Sequence, residues 1–163
     1  MKLSVLAVQS FVQTCCLALV SVHGRAEQPC LHKAWLALNR ADYSTAIEAA
    51  NECIAEFGPK AFREQKSLQA SGEKEPPIGS VDNVADKKKV FDRWAVNDVA
   101  TAYFVKGRAA EHLFRSQKAD RFRRSATEAY EAAAKLTFGR CWDPQGWFWS
   151  PSEGATDRLS ALR

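Results

Sequence analysis

The chain has 163 residues, a length typical of one domain with a modest hydrophobic core. Its 23 basic and 19 acidic residues give a net charge of +4; without residues 1–26, which hold Lys2, Arg25 and no acid, 21 basic residues remain and the charge is +2. A charge this close to balance gives no electrostatic reason to expect a nucleic-acid partner.

Residues 1–26 have the pattern of a secretory signal peptide. Lys2 precedes a mostly apolar run from Leu3 to Val22, and the small residues Gly24 and Ala26 stand where a signal peptidase cuts. We therefore expect cleavage after Ala26, a periplasmic or secreted mature protein, and no membrane contact after cleavage. The alternative is an uncleaved anchor, because the run is about long enough to span a bilayer.

A helical hairpin is predicted at the start of the mature chain. Apolar residues recur at helical spacing from Leu31 to Asn39 and again from Tyr43 to about Phe57. Asp42 is well placed to cap the second helix, and the Gly58-Pro59 pair predicts its end.

Three cysteines, Cys30, Cys53 and Cys141, remain after cleavage, in a compartment where disulfides form. A hairpin that turns near residues 41–42 pairs residues whose numbers sum to about 83, and Cys30 and Cys53 have that sum. We predict a Cys30–Cys53 disulfide; the alternative is a small buried Cys53 and a free thiol at Cys30. Cys141 is expected beside Trp142 or in an intermolecular pair.

The middle of the chain predicts a loop and a second hairpin. The stretch from Gln69 to Lys89 has two prolines, two glycines and many charges, which indicates a mobile loop. Asn97 is expected to cap a helix from Asp98 to about Phe114. A polar insertion, residues 117–124, is expected before a further helix from Ser125 to Leu136.

An aromatic stretch, RCWDPQGWFWSP, follows the second hairpin. Alternation puts Trp147 and Trp149 on one side of it and Phe148 on the other. Either the rings cover the apolar face of the last helical unit, or they form a platform that stacks on a sugar or a peptide. Ser150, with Glu153 three residues later, predicts a capped C-terminal helix.

Small and aromatic residues repeat between the two hairpins. Ala46 and Ala126 are each followed seven residues later by a small residue, Cys53 and Ala133, as closely packed antiparallel helices require. In the second unit Gly107 is placed for close packing and adds to the pattern. The whole pattern resembles the tetratricopeptide repeat. The resemblance implies an all-α fold of two antiparallel helical hairpins of that type and a C-terminal capping helix.

The expected organisation is a signal peptide at 1–26, a first hairpin at 27–63, a mobile loop at 64–93, a second hairpin at 94–138, and an aromatic segment with the capping helix at 139–163.

The resemblance also implies a function, that of a scaffold or adaptor that binds another protein or peptide in a groove lined by the first helices of the repeats. The expected contact residues are Trp35, Asn97, Tyr103, Lys106 and Arg108. One alternative is an envelope protein that binds or hydrolyses glycans and uses Trp147 and Trp149. Another is a structural homo-oligomer that stacks repeat ends through the aromatic segment.

No residue pattern indicates catalysis, and neither a metal nor a cofactor is expected. His32 and His112 lack the spacing of metal ligands, and nothing places His112 beside Cys141 as a base for a nucleophile. The acids considered for glycan hydrolysis are Asp98, Glu111, Asp143 and Glu153. Asp98 and Glu153 stand at predicted helix starts and Asp143 stands in a predicted turn, so these three acids have structural roles.

Overall fold

The computed structural model of the protein describes residues 28–143 and 145–162, and the predicted signal peptide lies outside them. The elements within these residues are α1 (Pro29–Asn39), α2 (Tyr43–Ala70), α3 (Val84–Asp92), α4 (Trp94–Gln117), α5 (Asp120–Ala134), β1 (Cys141–Asp143), β2 (Trp147–Trp149) and α6 (Pro151–Leu162). The all-α class is confirmed, with two antiparallel hairpins, α1–α2 and α4–α5, followed by the C-terminal helix α6.

The first hairpin forms around its predicted turn. Asp42 caps α2, because its side chain accepts a hydrogen bond from the backbone N–H of Thr45 at 3.2 Å. Cys30 and Cys53 form the predicted disulfide, with their Cα atoms 5.6 Å apart. Small residues are buried between the two helices, and they include Ala34, Ala46, Ala49 and Ala50. The two backbones can therefore approach closely.

Helix α2 continues through the Gly58-Pro59 pair, so the predicted end at this pair is wrong. Glycine has no Cβ, and this removes much of the clash that a proline imposes on the residue before it. The extension is held by Gln65, whose side-chain amide donates to Thr137 Oγ1 at 3.1 Å and accepts from the backbone N–H of Phe138 at 3.1 Å. These tertiary contacts offset the hydrogen bond that the proline removes.

The predicted loop at 64–93 contains the end of α2 and all of α3. Its proline-rich part is attached to the end of the second hairpin by Arg140, a buried residue. The guanidinium of Arg140 donates to the carbonyl oxygens of Pro76, Thr137 and Gly139. Burial lowers the pKa of this guanidinium, and the backbone acceptors satisfy the donors that burial removes from water.

Helix α4 begins at Trp94, earlier than predicted, and only Arg93 separates it from the end of α3 at Asp92. Asn97 is therefore inside α4, and its predicted N-cap role is wrong. The buried Asn97 side chain donates to the carbonyl oxygen of Val90 at 2.7 Å and accepts from the backbone N–H of Arg140 at 2.9 Å. Asn97 thus joins α3 to the segment that follows α5, and its burial also argues against the predicted contact role.

The insertion predicted at 117–124 is also wrong, since only Lys118 and Ala119 separate α4 from α5. Lys118 takes the left-handed conformation, with φ of 55°, that ends α4. The first turns of α5 are mostly charged and exposed, with Phe122 as their one large apolar side chain. Because these turns bury little apolar surface, their amino-acid composition resembles that of a loop.

Helix α4 lies at the centre of the fold and contacts α1, α2, α5 and α6. Helix α6 packs on α4 and α5, so it covers the second hairpin as the sequence predicts. Its predicted cap is confirmed, because the Ser150 hydroxyl accepts from the backbone N–H of Glu153 at 3.2 Å. Ala155 is buried, and Leu159 and Leu162 pack partly buried beside it.

Gly107 allows α4 and α5 to approach closely, as predicted. A Cβ at this position would lie 2.4 Å from Cε1 of Tyr130. We expect Gly107→Ala to lower the free energy of unfolding by about 1–3 kcal/mol, although alanine favours a helix by about 1 kcal/mol. Urea unfolding followed by circular dichroism measures the change. In a Tyr130→Leu background the same alanine should cost less, and an equal cost in both backgrounds would contradict the proposed clash.

Candidate binding face

Helices α1 and α6 each contact α4, and we call the side chains around this junction the α1–α4–α6 face, of which Phe104 and Glu111 are buried. Its residues are Trp35 from α1, Phe104, Arg108, Glu111 and His112 from α4, and Arg158 from α6. The four residues of α4 recur at helical spacing, which places them on one side of that helix. The end of the face near Phe104 is aromatic. At the other end arginine side chains contact Glu111, and we call it the cationic end.

At the aromatic end, the ring of Trp149 lies between α1 and α4. Its centroid is 5.0 Å from the Phe104 ring and 6.4 Å from the Trp35 ring, and both pairs are edge-to-face. This is a favourable arrangement for aromatic side chains. The protein's own Trp149 therefore covers the apolar surface where Trp35 was expected to contact a partner.

Strands β1 and β2 pair as an antiparallel hairpin that presents the aromatic residues in two directions. Phe148 is buried, with its ring centroid 4.8 Å from that of Trp142 and 5.5 Å from that of Phe91. Trp149 packs on the opposite side of the strand, so the predicted alternation is confirmed. Trp142 and Trp147 each remain 38% exposed. Phe148 and Trp149 thus serve the fold, while two other rings reach solvent.

At the cationic end, the Glu111 carboxylate is buried and receives three hydrogen bonds. Oε2 accepts from the Tyr130 hydroxyl at 2.8 Å, and Oε1 accepts from Arg115 at 2.6 Å and from Arg158 at 3.4 Å. Burial acts to raise the pKa of Glu111, but the hydrogen bonds from Tyr130 and Arg115, together with the positive charges of Arg158 and Arg115, outweigh it and the pKa is lowered. Glu111 is therefore a charged, fully engaged structural carboxylate.

Arg108 lies between the two ends of the face. Its guanidinium carbon is 6.0 Å from the centroid of the Phe104 ring. Its Nε is buried and has no hydrogen-bond partner among the residues that the structure describes. A buried donor without a partner is uncommon in folded proteins and costs stability.

The pKa of His112 depends on the charged groups at the cationic end. Its ring stacks on Tyr43, with centroids 4.8 Å apart and planes 3° from parallel. Burial lowers the pKa of His112, and the positive charge of Arg108 lowers it further. The guanidinium groups of Arg115 and Arg158 act in the same direction against the opposing charge of Glu111. The arginine charges therefore add to the effect of burial on His112.

The structure brings together Trp35, Arg108 and Trp149 around Phe104, and it separates the other predicted contact residues from them. Tyr103 points to α2, where its ring lies 6.1 Å from that of Phe62. The remaining residues are Lys106, half-buried on α4, and Trp147, exposed on the hairpin. Sequence reasoning missed His112 and Arg158 as members of the face, although His112 stands one helical turn after Arg108.

The acids considered for glycan hydrolysis have the following positions. Glu111 is engaged at the cationic end, Glu153 is in the cap of α6, and Asp143 accepts from the backbone N–H of Gln145 at 2.8 Å in the hairpin turn. Asp98 lies inside α4 rather than at its start. The turn role of Asp143 is confirmed, and Glu153 stands at the capped start of α6, where its backbone N–H donates to Ser150.

Comparisons with protein-family models, with curated proteins and with solved structures found no match. The tetratricopeptide resemblance therefore stays a prediction from the sequence. Of the helices in residues 28–143 and 145–162, none is long and apolar enough to cross a membrane. The disulfide between Cys30 and Cys53 is typical of a protein in an oxidising environment.

Proposed function

We propose that the protein is an exported, tetratricopeptide-like adaptor without catalytic activity that binds a segment of another protein on the α1–α4–α6 face. The observation that carries the proposal is the convergence of Trp35, Phe104 and Arg108 beside the cationic cluster around Glu111. Tryptophan and arginine are the side chains that most often dominate protein–protein binding energy. The resemblance places a partner along the first helix of each hairpin, here α1 and α4, and α6 adds Arg158 beside them.

Export is part of the proposal and has two supports. Residues 1–26 have a leader pattern, and the Cys30–Cys53 disulfide forms across the first hairpin. A bond of this kind persists where thiols are not kept reduced. We therefore place the mature adaptor in a periplasmic or extracellular compartment.

A second candidate, a glycan-binding module, is favoured by the exposure of Trp142 and Trp147 on the β-hairpin. Exposed indole rings can stack on sugar rings. However, Trp149, the second ring expected in such a platform, is covered by Trp35 and Phe104. Trp147 and Trp149 therefore do not form one exposed platform, and the adaptor proposal is preferred.

A homo-oligomer that stacks repeat ends finds less support. The outward residues of α6 are exposed and mostly polar, and they include Glu153, Thr156, Asp157 and Ser160. A polar outer face is what a terminal capping helix requires to stay soluble. Of the aromatic segment through which the copies were expected to stack, Trp142 and Trp147 are the exposed rings, and the polar face of α6 adds no apolar area to them.

The test compares two classes of ligand with the mature protein. The protein is immobilised and challenged with envelope proteins of the producing cells, and separately mixed with insoluble cell-wall polysaccharide. We expect a protein to be retained by the wild type and by Trp147→Ala but lost with Arg108→Glu, and no sedimentation with polysaccharide. Sedimentation that Trp147→Ala abolishes, with no protein retained, would overturn the proposal in favour of a glycan-binding module.

A further inference from the structure

We infer that Arg108 and Arg158 form a carboxylate-binding site that recognises an acidic residue or the C-terminus of the bound protein segment. The inference rests on the proposed function and goes further, because it assigns the chemistry that the partner must carry. Arg108 is on α4 and Arg158 is on α6, so such a site would bridge two of the three helices of the α1–α4–α6 face.

The first argument is the unpaired donor of Arg108. Its Nε is buried and has no acceptor among the described residues. The guanidinium also lies 6.0 Å from the Phe104 ring, which offers no hydrogen-bond acceptor oxygen. A group with two oxygen atoms in one plane matches the guanidinium fork, because it can accept two parallel hydrogen bonds. Arg108 as a whole is only partly buried, so a carboxylate of the partner can approach the guanidinium from its solvent side.

Three guanidinium groups lie around one carboxylate at the cationic end. Arg115 and Arg158 both contact Glu111 Oε1, and the positive charge of Arg108 acts on the neighbouring His112. Both oxygens of Glu111 already accept hydrogen bonds from Tyr130, Arg115 and Arg158. One carboxylate therefore faces more than one guanidinium, which favours the approach of an anion from outside.

Arg158 is the more available of the two arginines that contact Glu111. Its Nη1 lies 3.4 Å from Glu111 Oε1, whereas Nη2 of Arg115 lies 2.6 Å from the same atom. The Arg158 side chain is 38% exposed. Since a guanidinium has five N–H donors, a long contact to one oxygen leaves donors directed to solvent.

The aromatic end sets a further requirement on the ligand. Arg108 follows Phe104 by about one helical turn, a rise of roughly 6 Å, and Phe104 packs with Trp149. An acidic residue at Arg108 would therefore have its neighbours close to aromatic rings. We expect the preferred segment to combine carboxylates with large apolar side chains rather than carboxylates alone.

The experiment measures fluorescence anisotropy of three labelled ten-residue peptides with the mature protein. The first alternates glutamate and leucine and ends in an amide, the second replaces glutamate by glutamine and keeps the amide, and the third is the glutamine peptide with a free C-terminal carboxylate. Binding of the first peptide indicates a side-chain carboxylate ligand, and binding of the third indicates a C-terminal one. The second should bind at least about tenfold more weakly than the better of the other two.

Two variants and a matched control locate the site. Arg108→Gln and Arg158→Gln should each weaken binding of the carboxylate peptide by about tenfold, whereas Arg124→Gln, an exposed position on α5, should leave it unchanged. Arg108→Gln removes the contact with the Phe104 ring but no hydrogen bond of Nε among the described residues, so its thermal midpoint is measured together with its binding. A loss of binding at a midpoint close to that of the wild type would not reflect unfolding.

The inference is overturned if neither carboxylate peptide binds, if the glutamine amide binds equally well, or if the two arginine variants bind as the wild type does. Its failure is distinguishable from failure of the adaptor function. If Arg108→Gln still retains the envelope protein while the peptides show no carboxylate preference, the adaptor stands and only the carboxylate site falls.

Discussion

Trp149→Ala is expected to lower the free energy of unfolding by about 3–5 kcal/mol, because it empties the space between α1 and α4. The Trp149 ring packs edge-to-face on Trp35 and Phe104. Trp147→Ala, two residues earlier on the same strand, removes a ring that is 38% exposed and should cost less than about 1 kcal/mol. Both variants lose one indole ring, Trp149→Ala from a packed site and Trp147→Ala from a solvated site.

Thermal unfolding followed by circular dichroism measures both variants. For a domain of this size, the loss at Trp149 should lower the midpoint by roughly 10–20 °C. Equal midpoints for the two variants would contradict the account, since they would mean that Trp149 contributes no more to packing than Trp147.

Reduction of the Cys30–Cys53 disulfide is expected to cost about 3 kcal/mol in the chain-entropy model. The bond joins residues 23 positions apart in sequence and closes the open end of the first hairpin. It therefore restricts the unfolded chain and holds α1, an 11-residue helix, against α2. We expect a lower thermal midpoint in the presence of a reductant.

Two variants control this measurement. Cys141→Ser should keep the full sensitivity to reductant, because Cys141 lies on β1 and outside the first hairpin. Cys30→Ser should melt at the reduced midpoint whether or not reductant is present. A wild-type protein that melts at the same temperature with and without reductant would contradict the stabilising role of the bond.

Features governed by short-range geometry were predictable from the sequence. The turn at Asp42 fixes the pairing of Cys30 with Cys53, and the Ser150 cap fixes the start of α6. Gly107 stands where a side chain of any size would meet Tyr130. Each of these depends on residues within one hairpin or one helical turn, which local patterns describe well.

Features decided by distant contacts were not predictable. The Gly58-Pro59 pair predicts a helix end, but Gln65 holds the extension of α2 to residues of the second hairpin more than 70 positions away. Asn97 has the composition of a cap but bridges Val90 and Arg140 instead. In both cases a buried amide forms tertiary hydrogen bonds that no local pattern reveals.

The same division applies to the candidate site. Aromatic and basic residues identified Trp35, Arg108 and Trp149, which do meet around Phe104. Arg158 gave no signal, because its contact with Glu111 joins positions 47 residues apart. The cationic end of the face exists only once α6 has packed on α4.

Site-specific photo-crosslinking in the producing cells tests the central claim most directly, namely that the α1–α4–α6 face binds another protein. Benzoylphenylalanine replaces His112 on the face in one variant and Arg124 on α5 in another; both positions are on helices and the second is exposed. The account predicts a discrete protein adduct from position 112, lost when Arg108→Glu is added, and none from position 124. Adducts of the same proteins from both positions, or from position 124 alone, would contradict it.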